Sequence, residues 1–224
     1  MIAFISDIHG NYPALQAVLK KIDEIGCSQI ICLGDVVGYY SEVNECIETI
    51  RLRRIPCLLG NHDYYLVSNT CCSSKTVKLC LDYQRTVILS EHLTWLQENV
   101  PAVDLPNVSL RHAGWHDALE ERFSAFDFSW VQDMPQKVYL SGHTHRQTVS
   151  INETTDRVYC NPGSVGQPRD NDPRAAFAVL NDSGSIVLYR VKYDIEATVR
   201  AMKKCKLGDW IYKGLYTGKQ IGIE

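Results

Sequence analysis

The chain predicts an α/β fold in which helices flank a mostly parallel sheet and a second, more antiparallel sheet follows. Three observations support this expectation. Apolar runs of strand length alternate with stretches of helical periodicity through the N-terminal part; beyond Arg146 the texture changes to short strands and turns; and no repeat, low-complexity segment or linker divides the 224 residues. At 45% hydrophobic content the chain is long enough for one well-buried core and short for two, so residues 1–224 are expected to form a single domain.

The first strand is expected at residues 2–6. After a loop, Ala14, Leu15, Val18, Leu19, Ile22 and Ile25 recur at helical spacing until Gly26 stops the turn. The unit repeats at once, with a strand at 29–33, a loop through Gly38 and a helix over about 42–54 that places Val43, Cys46, Ile47 and Ile50 on one apolar face. A third strand is expected at 57–59. Crossovers between parallel strands need a covering element, which is why this alternation implies helices packed on the sheet. Residues 73–99 read as two helices, the second capped by Ser90, and Pro101 ends them. Strands at 108–111 and 137–141 follow. The second sheet is expected from strands at 147–152, 157–160, 175–180 and 185–192, with a hairpin turn at 181–184. Asp194 can cap a final helix carrying Ile195, Val199 and Met202.

A net charge of −3 argues against a broad basic face for nucleic acid. Nine cysteines, an odd number without paired metal-binding spacing, sit mostly inside apolar runs and read as reduced thiols in a cytoplasmic protein. The vicinal Cys71-Cys72 reads as a surface or helix-start pair in preference to an oxidant sensor. The N-terminal apolar run is short, lacks a basic leader and carries Asp7 and His9, so it does not read as a signal peptide. No stretch approaches the roughly 20 apolar residues of a membrane span, and no membrane partner is expected.

Chemistry concentrates in five motifs: Asp7-Ile8-His9, Gly34-Asp35, Gly60-Asn61-His62-Asp63, the lone His112, and Gly142-His143-Thr144-His145. Each follows an apolar run, so the side chains should converge where strands end, the usual place for a site in such sheets. In an extended segment residues two apart point the same way. Asp7 and His9 can therefore share one ion, and His143 and His145 another place beside it. An Asp-x-His taken alone is more often a turn, but five of the seven histidines fall inside these motifs. Mixed imidazole, carboxylate and amide ligands suit Mn²⁺, Fe, Zn²⁺ or Ni²⁺ better than Mg²⁺ or Ca²⁺. His62 should face away from its neighbour Asn61, and Asp63 could orient its imidazole and keep it protonated. His116 rivals His112 as a ligand, although His112 directly follows the strand. His92, within a helix, reads as an ordinary histidine.

These motifs, in this order, resemble the calcineurin-like metallophosphoesterase family over residues 1 to about 145. The stretch Cys160-Asn161-Pro162-Gly163-Ser164-Val165-Gly166-Gln167-Pro168-Arg169 resembles a branch of small prokaryotic-type phosphodiesterases within it and extends the likeness to about residue 180. The resemblance implies a four-layer α/β/β/α sandwich, two mixed sheets flanked by helices. It also implies two divalent ions, one held by Asp7, His9, Asp35 and His145 and the other by Asp35, Asn61, His112 and His143, with Asp35 bridging through its two oxygens at a separation of about 3.5–4 Å. Manganese is among the metals it suggests. Such a pair acidifies a bridging water to hydroxide and neutralises phosphate oxygens, so in-line attack on a phosphate ester is the implied reaction. His62 would then protonate the leaving group or stabilise the transition-state charge.

The expected substrate is a small phosphate ester, with nucleotides included, and the branch resemblance favours a phosphodiester over a phosphomonoester. Ser164 and the amides of Gly163 and Gly166 could meet a phosphate, with Arg169 or Arg174 as a clamp, although the stretch reads equally well as a turn. Tyr39, Tyr40, Tyr64, Tyr65 and Trp115 flank the motifs and could stack on a base, but packing is the commoner fate of such residues. The alternatives are a catalytically silent protein of the same fold that docks partners on its metal face, or a nuclease, which the charge disfavours. Neither oligomeric state nor substrate identity is legible.

Overall fold

The structure, a computed structural model, describes residues 1–70 and 72–219. Cys71 of the vicinal pair lies outside the described residues. Nine strands form among the described residues: β1 (Ile2–Ile5), β2 (Gln29–Cys32), β3 (Ala102–Asp104), β4 (Val108–Arg111), β5 (Val138–Leu140), β6 (Thr148–Asn152), β7 (Arg157–Asn161), β8 (Ala175–Leu180) and β9 (Ile186–Val191). They divide into a four-stranded sheet of order β2-β1-β8-β9 and a five-stranded sheet of order β3-β4-β5-β7-β6. Both sheets are mixed. In the first, β1 runs parallel to β2 and antiparallel to β8; in the second, β5 lies parallel between β4 and β7 while β3 and β6 close the edges antiparallel.

The expected division into an N-terminal parallel and a C-terminal antiparallel sheet is therefore corrected. β8 crosses back to sit beside β1, and β6 and β7 join β5. The cause is burial: β8 is buried from Ala175 to Val179 on both of its faces, so a central position between two layers is the place that hides it. Local pattern carries no information about which strand becomes its neighbour.

Alternation along the strands builds three cores. Ala3 and Ile5 face the helices with Phe177 and Val179, whereas Phe4, Ile31 and Ala178 face the other sheet and meet Leu110, Val138, Leu140 and Cys160. Over the outer face of the second sheet, Tyr139 and Tyr159 are covered by Phe126 and Val131, the latter in a single 3-10 turn, Phe128–Val131.

The helical layer holds α1 (Tyr12–Ile25), α2 (Val43–Leu52), α3 (Asn61–Ser68), α4 (Lys75–Val87), α5 (Ser90–Gln97) and α6 (Ile195–Lys204). α1 ends as expected, with Gly26 in the left-handed region and its N–H on the carbonyls of Ile22 and Asp23. Asp194 caps α6 by accepting from the Ala197 N–H. Ser90 does not cap; it lies inside α5, and Ser74 is the residue that caps a helix there, accepting from Val77. The segment expected as a strand at 57–59 makes one parallel bridge, Cys32 to Cys57, before Gly60 turns the chain into α3.

Asn11 ties these layers together. Its Oδ1 accepts from the Ala14 N–H at 3.3 Å and the Thr198 hydroxyl at 2.8 Å, and its Nδ2 donates to the Gly166 carbonyl at 2.8 Å and Tyr193 at 3.2 Å. Asn11→Ala leaves several buried groups unpaired and removes a cap, so it should cost about 2–4 kcal/mol in chemical denaturation. A loss below about 0.5 kcal/mol, the scatter of neutral surface changes, would contradict this role.

Candidate metal centre

Three of the five motifs leave their strand ends in backbone conformations that side chains rarely adopt. Asp7 (φ 55), His9 (φ 54), Asp35 (φ 56), His143 (φ 65) and His145 (φ 59) are five of the ten non-glycine residues with positive φ among the described residues. Each costs on the order of 1 kcal/mol, and such conformations gather where surrounding structure over-determines them. That determination is visible here. The N–H groups of Ile8 and His9 both donate to the Asp35 carbonyl, at 2.8 and 3.0 Å, and the His143 N–H donates to both oxygens of the Asp7 carboxylate at 3.1 and 3.2 Å.

The extended-segment expectation is corrected by this geometry. His143 and His145 do not share one ion position, because the left-handed backbone sends them apart: His145 Nε2 lies 3.4 Å from Asp7 Oδ1, whereas His143 Nδ1 lies 3.2 Å from Asn61 Oδ1. Single donor atoms of Asp7, His9, Asp35 and His145, all buried, fall within 4.8 Å of one another.

Ring tautomers decide what this cluster can hold. His9 Nδ1 is 2.8 Å from the Val37 carbonyl and His145 Nδ1 is 2.6 Å from the Gln167 carbonyl; a carbonyl only accepts, so each Nδ1 carries a proton. The two Nε2 atoms then point lone pairs at each other across 3.0 Å. One proton shared between the rings would relieve the clash, but burial foremost, and then Arg169, pushes both pKa values well below 6.5. His112 repeats the arrangement: its Nδ1 donates to the Leu33 carbonyl at 2.8 Å, and its Nε2 faces Asn61 Oδ1 at 3.2 Å and Asp35 Oδ2 at 3.5 Å. Lone pairs opposed in this way fit cations between them. A backbone carbonyl behind each imidazole is also the usual support of a metal-ligating histidine.

Asp35 sits between the two groups. Its Oδ1 is taken by the His62 N–H at 2.8 Å, leaving Oδ2 facing His9 Nε2 at 3.7 Å and His112 Nε2 at 3.5 Å. Of the two carboxylate oxygens, Oδ2 is thus the one that faces both His9 and His112. Burial, then Asp63 and Asp7, raises the Asp35 pKa well above 3.8, and burial raises that of Asp7 as well. Packed carboxylates that resist ionisation are relieved by a dication.

Asp63 does not orient His62. Its carboxylate accepts backbone N–H groups of Asp35 at 2.8 Å, Val36 at 3.3 Å, Val37 at 3.0 Å and Gly60 at 3.0 Å, so it fixes the Asp35 loop to the start of α3. The His62 imidazole instead packs against His9 at 4.7 Å and Tyr39 at 5.0 Å, with its Nδ1 buried and unpartnered. Burial first, then His9 and Arg169, keeps its pKa well below 6.5. Gly38 makes room for these rings: it has φ 132, and a Cβ there would run into both His9 and His62.

The remaining candidates separate cleanly. His116 is solvent-exposed and bonds Glu121 at 2.9 Å, away from the buried group that contains His112. Ser164 is corrected from substrate contact to scaffold, since its buried hydroxyl donates to the Asp7 carbonyl and accepts from the Gln167 N–H, both at 2.7 Å. Arg174 is corrected too: it is exposed and forks onto Asp172, with contacts at 2.6–3.1 Å. Arg169 stands at the site, donating to Tyr39 at 2.9 Å with its guanidinium 5.4 Å over that ring. Of the aromatics, Tyr40 is buried and Trp115 packs on Phe126, Tyr139 and Tyr159. Sequence reasoning missed Gln84, a fully buried side chain from α4 that accepts from the Gly38 N–H at 2.9 Å and donates to the carbonyls of Gly38 and Tyr40. A glutamine inside a helix gives no local signal. The second cluster of metal-capable side chains, Glu48, Glu91 and His92, has both of its carboxylates exposed.

The profile of the calcineurin-like phosphoesterase superfamily domain matches residues 1–183. An uncharacterized protein of Methanocaldococcus jannaschii is 31% identical over 98% of this chain and 98% of its own length. Phosphodiesterase YfcE of Escherichia coli K12 is 23% identical over 83% of this chain and 90% of its own. Among solved structures, a metallophosphoesterase from Sphaerobacter thermophilus superposes with a TM-score of 0.84 at 26% identity, covering 97% of this chain and 98% of that one.

The raised Asp35 pKa makes a signed prediction. A carboxyl whose folded pKa lies above its unfolded value stabilises the fold while protonated, and that contribution is lost as pH rises through the folded pKa. In chelator at pH 7, Asp35→Asn should therefore melt a few degrees above the unsubstituted protein, the gain shrinking as pH falls toward 4. Added divalent metal should raise the melting temperature of the unsubstituted protein only. A variant that melts lower in chelator at pH 7 would contradict the electrostatic account.

Proposed function

The chain belongs to the calcineurin-like phosphoesterase superfamily, and on that premise we propose that it is a hydrolase of small phosphodiesters that works with two divalent ions. The observation that carries the reading is the pair of opposed-lone-pair sets joined at Asp35 Oδ2. Asp7, His9, Asp35 and His145 would hold one ion; Asp35, Asn61, His112 and His143 would hold the other. Nitrogen and mixed oxygen donors favour Mn²⁺, Fe, Zn²⁺ or Ni²⁺, and manganese is a good first choice for reconstitution. When bound, the ions supply an acidified water and charge neutralisation at the phosphate. Preference for a diester rests on the likeness to the E. coli phosphodiesterase.

The chain's own residues supply position and protons. Asp63 and Gln84 hold the Asp35–Tyr40 loop so that Asp35 and Tyr39 keep their places, and Arg169 offers a guanidinium to phosphate oxygens. His62, neutral in its buried setting, gains proton affinity when an anionic phosphate enters beside it and can then donate to the leaving oxygen. A docking protein that uses this face has less support, because His62 and the side chains that would hold the ions are no more than 5% exposed.

We read residues 1–224 as one domain, since Val199 and Met202 of α6, beyond the matched region, enter the same core as α1 and β1. A cytoplasmic setting is supported by Cys32, Cys46, Cys80 and Cys160 packing as buried free thiols. No described helix is long and apolar enough to cross a membrane.

Reconstitution followed by assay against phosphomonoesters and phosphodiesters tests the reading. Activity on aryl phosphodiesters should appear with Mn²⁺, vanish in chelator and accompany two ions per chain by elemental analysis; saturation at one ion would refute the second set. His62→Ala should keep its metal and lose roughly 10²–10⁴-fold in kcat, less for nitrophenyl than for alkyl leaving groups. An equal loss for both would assign His62 to charge stabilisation.

A further inference from the structure

A cleft of about 1010 Å³ opens beside the metal motifs and is lined in part by Thr144, which separates His143 from His145. Its charge is one-sided. Arg122, Arg146, Arg169 and Lys219 line it against one carboxylate, Asp170, and that carboxylate is already engaged by the Arg190 guanidinium and the Gln147 N–H. In a chain of net charge −3 this is a local concentration of positive charge, and walls of low dielectric strengthen its field.

Arg122 and Arg146 are exposed, and among the described residues neither side chain has a hydrogen-bond or ion-pair partner. Both are nevertheless presented by held backbone. Before Arg122, Glu121 accepts from the His116 N–H at 2.8 Å and its ring at 2.9 Å; after it, Phe123 packs on Trp130 at 5.2 Å and Tyr159 at 5.7 Å. Around Arg146, the His145 carbonyl accepts from the Arg169 N–H at 3.1 Å and the Gln147 N–H donates to Asp170 at 3.0 Å. Arg122 lines the same cleft as Arg169, whose guanidinium donates to Tyr39 beside His62, so the cleft runs from the metal motifs to Arg122. Guanidinium forks with no protein partner, carried on held backbone, match the terminal oxygens of a phosphate, to which each can donate two hydrogen bonds.

We propose that the substrate carries a second phosphate, distant from the scissile one, and that Arg122 and Arg146 hold it in this cleft. The preferred class is thus a phosphodiester bearing an additional phosphomonoester group. This rests on the phosphodiesterase reading for the reacting end, while the cleft sets which diester is chosen.

Two esters with the same scissile bond and leaving group separate the two claims: thymidine 5′-(p-nitrophenyl phosphate) and its 3′-phosphorylated counterpart. The metal-loaded protein should prefer the phosphorylated ester by about 10-fold or more in kcat/KM, expressed in KM. In Arg122→Gln and in Arg146→Gln the phosphorylated ester should lose about 10-fold or more, and the simple ester far less. Equal turnover of both esters by the unsubstituted protein, or equal losses on both in the variants, overturns the proposal and leaves the phosphodiesterase reading intact. If neither ester is hydrolysed, that reading fails, and calorimetry with thymidine 3′,5′-bisphosphate judges the cleft. Binding about 10-fold weaker in the variants then supports it, and unchanged dissociation constants overturn it.

Discussion

Three backbone carbonyls, those of Val37, Gln167 and Leu33, take the Nδ1 protons of His9, His145 and His112. Because each ring is pinned from behind, its remaining lone pair has one direction to point, and the three directions converge on Asp35 and Asp7. Burial keeps His9 and His145 neutral, so the repulsion between their Nε2 atoms cannot be discharged by taking up protons at ordinary pH. A structure that accepts such an arrangement stores unfavourable electrostatics in its folded state. A bound cation converts that cost into affinity.

The carbonyls can do this only if their loops are rigid, and half of the left-handed non-glycine residues among those described serve that end. Left-handed residues at Asp7, His9, Asp35, His143 and His145 bend the strand ends inward, and side chains with no chemical duty hold the bends. Asp63 gathers four N–H groups, Gln84 spans Gly38 and Tyr40, and Asn161 donates to the Gly142 carbonyl at 2.6 Å and accepts from the Gly163 N–H at 2.9 Å. Ser164 joins the Asp7 loop to Gln167. The frame thus links the first sheet to the second through polar contacts, beside the apolar layer of Phe4, Leu110 and Leu140 that holds them face to face.

How much of this could be read from the chain follows from what each feature depends on. Strands such as Ala175–Leu180 and helices such as Ile195–Lys204 were legible because apolar period and cap are local. Sheet membership was not, since β8 pairs with β1 across most of the chain. α3 was missed because its eight residues carry the Asn61-His62-Asp63 motif in their first turn and show no apolar stripe. Residue types and order were enough to gather the candidate ligands, yet Asp63, Ser164 and Arg174 were assigned by neighbourhood in sequence, and their hydrogen bonds run to partners that sequence does not name. Arg122 gave no signal at all, because its place at the cleft is set by aromatic packing around Phe123.

The central claim is that carbonyl-pinned tautomers aim unprotonated Nε2 atoms at a shared cation position. It is tested most directly by ¹⁵N NMR of the histidine side chains in protein labelled with ¹⁵N-histidine, before and after titration with Zn²⁺, a diamagnetic ion of matching ligand preference. The account predicts that His9, His112 and His145 are protonated at Nδ1 and bare at Nε2 in the metal-free protein, and that on titration the Nε2 resonances move while each Nδ1 proton is retained. Protonated Nε2 atoms in the metal-free state, or coordination through Nδ1 in these three rings, would contradict it.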